Sequence, residues 1–524
     1  MQKPHFQYGK DYLTIGTALD IARGKTCGII SNDTKIKVHE CRNIVDKIAK
    51  TKHEVYGVNT GFGPLCTTLI TEKDTRKLQK NLLLSHSVGV GKNIAPEIAK
   101  LMMILKAHSL AKGFSGIAME TLVRIMWHID NDMIPCVPEQ GSVGASGDLA
   151  PLSHLFLPLI GLGKVIVNGK AKPARDVLKK YELKPLELGP KEGLALINGT
   201  QFMLAHAVLI VEKLQNCLDY ADIIAAMNLE AMMGSFKSFD EELHALRPYS
   251  GNQYVAQRIR ALLKNSEIEK SHENCHRVQD PYSLRCIPQV HGASRNAWLH
   301  LKEMVLIEMN SVTDNPIIFS ERKIITGGHF HGQPIALPMD YAALAAAELG
   351  NISDRRIYLS LIENVPGLPK LLMKDTGLNS GFMILQYTTA ALVSENKSLC
   401  FPASADSIPT SLGQEDHVSM GSISGRKTLH IINNLEKILG IELLTASQGF
   451  EFRKPLKSGI LMNECHKFVR SKVDFANEDK YFANDIEKCI NIVKNKNLTD
   501  VINKAAQKHN IEFKNHDHEI YGIY

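Results

Sequence analysis

The amino-acid sequence predicts a mainly α-helical protein, in which long central helices form a bundle and a mixed, loop-rich N-terminal part precedes them. The chain has 524 residues, of which 44% are hydrophobic and only 6% are aromatic. This composition, rich in Leu, Ala and Ile, suits helices. Apolar residues recur at helical spacing over long proline-free segments, whereas strand-like alternation is scarce. Because long apolar helices usually pack against one another, the pattern favours a bundle.

Residues 1–200 form the first predicted part, where short helical patterns alternate with glycine-rich turns. One β-hairpin is legible, because residues 164–167 and 170–172 flank Asn168-Gly169, a pair that favours a tight type I′ turn. The apolar stretch 149–167 is interrupted by prolines, glycines, a histidine and a lysine. We therefore interpret it as buried core and not as a membrane helix.

Residues 201–460 form the predicted bundle. Residues 203–246 contain no proline and predict one long helix or a broken pair of helices. The same spacing predicts further long helices over residues 291–312, 338–362, 379–398 and 425–448. Residues 461–524 are more charged and are expected to form a helical appendage with a tail.

Charge and cysteine usage exclude several classes of protein. The net charge is only +6, and no concentrated basic stripe with interleaved aromatics is present, which argues against a nucleic-acid partner. The start, Met1–His5, lacks the apolar run of a signal peptide. Ten cysteines are scattered without a CxxC pair or metal-ligand spacing, so we expect reduced thiols, a cytoplasmic protein and no metal site.

Three glycine-rich or polar loops interrupt the helical pattern, at residues 56–63, 141–148 and 327–332. None matches the phosphate-binding pattern G-x-x-x-x-G-K-[ST]. Residues 144–147 also have the wrong spacing for the nucleophilic serine of G-x-S-x-G. Taken alone, Ala145-Ser146-Gly147 is a weak signal, because these residue types are common in ordinary turns.

The residues that flank this tripeptide make it a specific signal. Residues 141–155, GSVGASGDLAPLSHL, resemble the signature of the aromatic amino-acid ammonia-lyases and aminomutases. The resemblance extends from about residue 10 to 490, with six further motifs in family order, a combination that chance does not explain. These motifs are YGVNTGFG with Tyr56, LLLSHSVGVG with His86, EGLALINGTQ with Asn198, QDPYSLRC with Gln279, Tyr282 and Arg285, GGHFHGQPIA with Phe330, and GQEDHVSM with Glu415.

The resemblance implies a protein-derived cofactor. In this family the glycine nitrogen of Ala-Ser-Gly attacks the alanine carbonyl, and water is lost, including the serine hydroxyl. The product is a methylidene-imidazolone (MIO), whose exposed alkene is an electrophile that no standard side chain supplies. Bonding a substrate amine to it makes the amine a better leaving group, and a positioned base then removes the β proton. No external cofactor is expected, and the family implies a homotetramer with shared active sites.

The resemblance also implies roles for individual residues. Arg285 is a bidentate donor suited to the substrate carboxylate. Tyr56 resembles the catalytic base, although a phenol titrates near pH 10 and needs an electropositive site to act as phenolate; Glu415 is the rival base. Asn198, Gln279 and Tyr282 resemble groups that bind the MIO carbonyl or orient the substrate, and Tyr282 is placed with the catalytic residues. For each of these residues the alternative is an ordinary structural hydrogen bond.

Two residues point to the substrate. A carboxylate is costly to bury beside an apolar ring, so Glu415 fits an imidazole N–H and suits phenylalanine badly. His86 fits a second imidazole nitrogen or a tyrosine hydroxyl, and Phe330 fits against the substrate ring. The predicted reaction converts L-histidine into trans-urocanate and ammonia. The alternatives are a tyrosine or phenylalanine lyase, an aminomutase, and a non-catalytic homologue.

Three positions depart from the family pattern. His329 and Gly413 stand where asparagine is usual, and Phe401 stands where histidine is usual. His329 is expected to shift its neighbour Phe330, and Gly413 to loosen the loop that presents Glu415. None of the three departures removes a catalytic group.

Overall fold

A computed structural model describes residues 3–51, 54–66, 70–273, 277–363 and 365–513. Helices dominate these residues, which confirms the predicted fold class. The helices are α1 Ile15–Ala22, α2 Asn32–Ile48, α3 Glu72–His86, α4 Pro96–Ala111, α5 Met119–Asp130, α6 Leu149–Phe156, α7 Ala174–Lys180, α8 Glu192–Ile197, α9 Gln201–Ala231, α10 Glu241–Ala245, α11 Ser250–Leu262, α12 Glu267–Lys270, α13 Tyr282–Arg285, α14 Ile287–Met309, α15 Gln333–Ser360, α16 Met383–Leu399, α17 Gly421–Glu451, α18 Ile460–Arg470, α19 Ala483–Lys494 and α20 Asn497–His509. The strands are β1 His5–Gln7, β2 Cys27–Ile29, β3 Val90–Asn93, β4 Ile134–Pro135, β5 Pro138–Gln140, β6 Lys164–Val167, β7 Lys170–Pro173, β8 Ile317–Ser320 and β9 Lys323–Ile325.

The chain divides into two compact units. Unit 1 contains Met1–Leu209, Glu303–Asp340 and Pro402–Arg426, and unit 2 contains the remainder. Helices α9, α14, α15 and α17 are described with unit 2, which holds most of their residues. The division by sequence into residues 1–200, 201–460 and 461–524 stays a prediction.

Unit 1 holds all the strands of the described residues, in four small sheets. Strands β1 and β2 pair in parallel, while β3–β5, β4–β6–β7 and β8–β9 are antiparallel. The predicted hairpin is confirmed, with Val167 opposite Lys170 and with Asn168 and Gly169 at φ 50° and 75°. Positive φ at both turn residues is what a type I′ turn requires.

The helices of unit 1 are anchored at their ends and bury their apolar faces. Ser31 caps α2 by accepting a hydrogen bond from the Thr34 amide, which satisfies one of the free donors of the first turn. Helix α4 is buried on all sides from Ile98 to Ala111 and contacts α1 and α5. Helices α3, α6 and α8 contact one another pairwise. The loops that follow α3, precede α6 and follow α8 are thereby held in place.

Unit 2 is built from long helices, of which α9 is the most deeply buried. The proline-free segment 203–246 was predicted as one long helix or a broken pair of helices, and the structure has the broken pair. Helix α9 ends at Ala231, and α10 follows after a short 3₁₀ turn. Met233 adopts φ 49°, and the Ser235 amide donates to Asp280 at 2.6 Å, so the chain turns here.

Two acidic side chains of α9, Asp219 and Asp222, are buried and have cationic partners inside unit 2. Asp222 accepts from Arg295 Nη2 at 2.6 Å, from Arg258 Nε at 3.1 Å and from His291 Nδ1 at 2.8 Å. Burial alone would raise the pKa of Asp222, but Arg295, His291 and Arg258 together hold it well below its ordinary value. The bundle core is therefore apolar around a buried ionic network.

The other predicted long helices are confirmed with shifted ends. Helix α15 starts at Gln333, five residues before the predicted start at residue 338, and contains Pro338. A proline within the first turns of a helix costs one backbone hydrogen bond, which packing of the rest of the helix offsets. Residues 461–513 contain helices α18 to α20. No helix of the described ranges is long and apolar enough to cross a membrane.

Candidate active site

The Ala145-Ser146-Gly147 loop joins β5 to α6 in unit 1. Gly147 has φ 79°, and a Cβ at this position would lie 2.1 Å from the Gly199 carbonyl oxygen. A side chain is therefore excluded both by the left-handed backbone and by the close approach of residue 199. The Asp148 amide donates to that same Gly199 oxygen at 2.8 Å, so the two segments run side by side.

The loop is anchored on both sides by buried hydrogen bonds. The Met420 amide donates to the Val143 carbonyl at 2.9 Å. Asp148 accepts from Ser142 Oγ at 3.0 Å and from the Met203 amide at 3.0 Å. Burial raises the pKa of Asp148 to about 7, against these two hydrogen bonds, which lower it. The tripeptide is thus held by fixed groups and not by solvent.

Ser146 is the point at which two candidate side chains, Glu415 and Asn198, meet the Gly199 amide. Its Oγ donates to Glu415 Oε1 at 2.7 Å. Its carbonyl oxygen accepts from Asn198 Nδ2 at 3.2 Å and from the Gly199 amide at 3.4 Å. Two donors on one carbonyl oxygen form an arrangement that stabilises negative charge there.

These surroundings fit an MIO group. Within the described residues, no hydrogen bond engages the Ala145 carbonyl or the Gly147 amide, the two groups that join in the cyclisation. Gly147 provides a nitrogen without a hindering Cβ. The Ser146 carbonyl already has its donors, and Ser146 Oγ, which leaves as water, lies next to a carboxylate.

Glu415 is presented by a tight loop. Its Oε2 accepts from Thr410 Oγ1 at 2.9 Å and from Ser411 Oγ at 3.0 Å. Gly413 within this loop adopts φ 83°, and no atom would meet a Cβ there. The three hydroxyl donors, counting Ser146, fix the carboxylate despite the glycine.

Tyr56 lies at the start of the loop of residues 56–63, and His86 is the last residue of α3; both belong to unit 1. Tyr56 Oη accepts from the Gly63 amide at 3.3 Å. Burial raises the pKa of Tyr56, while the Gly63 hydrogen bond lowers it and the Glu415 charge raises it. His86 ends α3, with Ser85 Oγ 2.9 Å from its Nδ1, and burial lowers its pKa, so it is mostly neutral near pH 7. The 3₁₀ turn that follows Tyr56 contacts the 3₁₀ turn before Glu415.

Phe330 lies in the loop between β9 and α15, partly buried. Its neighbour His331 donates from Nε2 to the His417 carbonyl at 3.3 Å, and the two imidazole rings are 5.6 Å apart. His329 is exposed at the wall of a cavity of about 410 Å³ that Glu308 also lines. In the part of the chain that the structure describes, no ring contact joins Phe330 to the Ser146 group.

Gln279, Tyr282 and Arg285 form their own cluster in unit 2. Arg285 Nη2 donates to Gln279 Oε1 at 2.8 Å, and its Nε donates to the Asp280 carbonyl at 2.9 Å. The guanidinium lies over the Tyr282 ring, 4.6 Å from its centroid. Tyr282 is 71% exposed, so this cation–π pair stands at the surface of its unit.

The motifs did not reveal every group that positions the site. Asp148, Thr410, Ser411 and Gly199 were not singled out, although all four touch the Ser146 or Glu415 surroundings. Asp148 and Gly199 stand inside the motifs, next to Ser146-Gly147 and Asn198, and this adjacency was the available signal. Among the described residues, no group of three or more metal-ligating side chains forms a metal site.

Comparison with known proteins identifies the family. The profile of the family described as aromatic amino acid lyase matches residues 13–471. A histidine ammonia-lyase of Myxococcus xanthus is 44% identical over 507 residues, covering 97% of this chain and 100% of the relative. The crystal structure of histidine ammonia-lyase from Trypanosoma cruzi superposes with a TM-score of 0.88 at 39% identity, over 96% of this chain and 95% of that one. Tyrosine aminomutase from Streptomyces globisporus superposes with a TM-score of 0.90 at 34% identity, over 96% and 99%.

The helical fold and the Ala-Ser-Gly loop define a carbon–nitrogen lyase. The chain belongs to the aromatic amino acid lyase family, as its motifs indicated, and this family is MIO-dependent and acts on amino acids.

Proposed function

We propose that this protein is a histidine ammonia-lyase, which converts L-histidine into trans-urocanate and ammonia, the first step of histidine degradation. The observation that carries the proposal is the hydrogen bond of 2.7 Å between Ser146 Oγ and Glu415 Oε1. It puts a carboxylate directly beside the serine that becomes the electrophile. Relatives named histidine ammonia-lyase, at 42–47% identity over most of the chain, support the same substrate.

The electrophile of this proposal is an MIO group made from Ala145, Ser146 and Gly147, without an external cofactor. When formed, it supplies an alkene to which the substrate amine bonds. Asn198 and the Gly199 amide bind the Ser146 carbonyl oxygen, and Gly147 leaves room for the Gly199 segment. These groups are in place before any dehydration.

Glu415 selects the imidazole ring in this proposal. Two hydroxyls already occupy its Oε2, whereas Oε1 is engaged by Ser146 Oγ. Because dehydration removes Ser146 Oγ, Oε1 becomes available to accept an imidazole N–H. His86, which is mostly neutral, can bind the second imidazole nitrogen. An aromatic ring without N–H donors would leave Oε1 of this carboxylate without a donor, at a cost of about 1–3 kcal/mol.

Other residues are proposed to remove the β proton and to bind the carboxylate of the substrate. Tyr56 is proposed as the base that removes the β proton, with Glu415 as the rival and with Tyr282 among the catalytic groups. Because burial raises the pKa of Tyr56, its phenolate form requires positive charge nearby. Arg285 is proposed to bind the substrate carboxylate, Gln279 to orient the substrate, and Phe330 to pack on its ring.

The protein is further proposed to act as a cytoplasmic homotetramer with active sites shared between subunits, without nucleic-acid or membrane partners. Large apolar side chains on the surface of each unit support association. In unit 1, Leu412 is 92% exposed; in unit 2, Leu378 is 90% and Phe401 is 85% exposed. Exposed apolar surface of this kind commonly marks an interface.

The direct test supplies histidine, tyrosine and phenylalanine separately and follows the ultraviolet absorbance of each conjugated acrylate. We expect urocanate to form fastest, and faster turnover of tyrosine would overturn the substrate assignment. A product that retains its nitrogen as a β-amino acid would instead favour an aminomutase, the activity named for one structural neighbour.

Mass spectrometry tests the electrophile separately. The peptide covering residues 141–155 is expected to be lighter by two water molecules. An unshifted mass would contradict formation of the MIO group. Ser146→Ala is expected to abolish most turnover and the mass change, while circular dichroism shows an intact helical fold. Retained activity in this variant would refute the role of Ser146. It would also argue against the alternative that the protein is a non-catalytic homologue.

A further inference from the structure

We propose that Lys106 is a positioning residue for the electrophile, acting on the Ser146 carbonyl oxygen through the peptide group that joins Asn198 to Gly199. This inference rests on the proposed MIO chemistry and adds a residue that no motif contains. Lys106 touches neither the substrate site nor the tripeptide, so its effect is indirect.

Lys106 is an unusual group for the interior of α4. Its side chain is only 1% exposed, and its Nζ donates to the Asn198 carbonyl oxygen at 2.6 Å. Asn198 directly follows the last turn of α8 and has an extended backbone with φ −84° and ψ 120°. The lysine therefore fixes the backbone from which the Asn198 side chain reaches Ser146.

A single peptide group connects the lysine to the Ser146 carbonyl. The Asn198 carbonyl and the Gly199 N–H belong to the same amide, and that N–H points to the Ser146 oxygen at 3.4 Å. A donor on an amide carbonyl polarises the amide, so its N–H becomes a stronger donor. An ammonium has the larger effect, because charge-assisted hydrogen bonds are the stronger kind.

The Ser146 carbonyl oxygen is where this polarisation matters. In the cyclised loop this oxygen is conjugated with the Ser146 Cβ, so electron density moves toward it when an amine bonds to that carbon. Asn198 Nδ2 and the Gly199 N–H stabilise the developing charge. Lys106 strengthens one of these donors and fixes the position of the other.

The charges that face Lys106 leave it free for this contact. Asp314 and Lys191 are the charged groups that act on it, and they pair with each other at 2.6 Å between Nζ and Oδ2. Burial lowers the pKa of Lys106 to about 7, with Asp314 raising it and Lys191 lowering it further. A buried amine without a carboxylate of its own is costly, which is typical of functional groups and unusual for purely structural ones.

The test compares Lys106→Met with Lys100→Met. Lys100 is a second buried lysine of α4, 7% exposed, whose partner is Asp132 and which has no contact with Asn198. We expect Lys106→Met to lower kcat for histidine about 10- to 100-fold with a KM change of less than about threefold, the loss expected for one charge-assisted donor. The 141–155 peptide should still be dehydrated. In the folded protein, the ultraviolet absorbance maximum of the MIO chromophore should shift. Lys100→Met should leave all three readouts unchanged.

Lys106→Arg provides the second arm, which also serves if Lys106→Met folds poorly. An arginine keeps a charged donor but does not titrate, since its pKa exceeds about 12. We expect it to restore most of kcat. Because burial lowers the pKa of Lys106 to about 7, we also expect the wild-type profile of kcat to inflect near this pH and the Lys106→Arg profile to lack the inflection. An unchanged profile in Lys106→Arg, or a wild-type kcat and absorbance in Lys106→Met, would overturn the inference.

Failure of the inference and failure of the proposed function give different results. If urocanate forms at wild-type rate in Lys106→Met, only the inference falls. If the wild-type protein is dehydrated but makes no urocanate, the proposed substrate falls, and the shift in absorbance still tests Lys106.

Discussion

At the scale of single residues, the candidate site depends on how closely two glycine segments approach. A Cβ at residue 147 would lie 2.1 Å from the Gly199 carbonyl oxygen, and the backbone at 147 is left-handed. We therefore expect Gly147→Ala to displace the loop and to prevent dehydration of the 141–155 peptide, as measured by its mass. The control is Gly169→Ala in the β6–β7 turn, which has φ 75° but no atom within 4 Å of the added Cβ. A dehydrated peptide in Gly147→Ala would contradict the steric argument.

Glu415 is proposed to carry the substrate preference, and its replacement separates binding of the ring from formation of the electrophile. Glu415→Gln keeps the size of the side chain but removes its charge. We expect kcat/KM for histidine to fall about 10- to 100-fold, the effect of losing one charge-assisted hydrogen bond, while the 141–155 peptide remains dehydrated. Ser411→Ala is the milder control, because it removes one of the two hydroxyls on Oε2 and leaves Oε1 untouched. Equal kcat/KM values for Glu415→Gln and wild type would show that the ring is bound elsewhere.

The sequence alone was enough to name Asn198 and Glu415, two of the groups that meet at Ser146, because each lies in a distinctive motif. The sequence did not reveal the hydrogen bond between Ser146 Oγ and Glu415, since 269 positions separate the two residues. Thr410 and Ser411 were also missed for a physical reason. A hydroxyl five or four residues from a carboxylate is ordinary in a polar loop, and only the turn at Leu412-Gly413 brings both onto Oε2.

At the scale of elements, periodicity located the long helices, while their ends depended on contacts that periodicity does not encode. The turn after α9 forms where Asp280, almost fifty residues away, accepts the Ser235 amide. Helix α15 extends before Pro338 because its first turn has other donors, such as the Ala336 amide to the Gly332 carbonyl at 2.9 Å. Neither contact has a local signature in the sequence.

The buried pair of Arg356 on α15 and Glu442 on α17 gives an element-scale prediction within unit 2. Both side chains are fully buried, and Glu442 also accepts from Asn228. We expect Arg356→Met to lower the free energy of unfolding by about 3–5 kcal/mol, because it leaves a buried carboxylate without its cation. Urea unfolding measures this loss.

Arg355→Met is the matched control for that experiment. Arg355 is the preceding residue of α15, its side chain is 61% exposed, and it pairs with Asp354. Its removal should cost no more than about 1 kcal/mol, because solvent screens the exposed cation and the buried Asp354 keeps its hydrogen bonds from Gln386 Nε2 and Thr389 Oγ1. Similar losses in the two variants would mean that the network on α15 and α17 contributes little to the stability of the bundle.

At the scale of the whole molecule, composition and periodicity predicted the fold class, whereas the gathering of the loops follows from packing. Helices α3, α6 and α8 contact one another, and each ends or begins beside a site residue: His86, the Ser146 loop or Asn198. No pattern in the chain states that these three helices are neighbours. Motif order indicated the family before any contact was known.

Buried titratable groups also determine how the stability of the whole molecule depends on pH. Burial lowers the pKa of four histidines from 6.5 to about 4; these are His108, His128, His206 and His466. Because the folded protein binds their protons less readily than the unfolded chain, their neutral forms favour folding above pH 6.5, and this contribution is lost as pH falls toward 4. Asp148 and Glu230 act in the opposite sense. Burial raises the pKa of each to about 7, so their contribution is present at low pH and is lost as pH rises through 7.

A variant of His128 isolates the histidine part of this balance. His128 Nδ1 donates to the Met133 carbonyl at 2.9 Å, a bond that needs only the neutral ring. His128→Asn removes the titration, so its free energy of unfolding should fall less than that of wild type between about pH 6.5 and pH 4.5, by a difference of about 2 kcal/mol. Urea titrations at both pH values measure the difference, and His39→Asn, which removes an exposed imidazole, is the control. If the stability of His128→Asn declines as steeply as that of wild type, protonation of this buried ring does not drive acid unfolding, and the carboxylates or the other three histidines must do so.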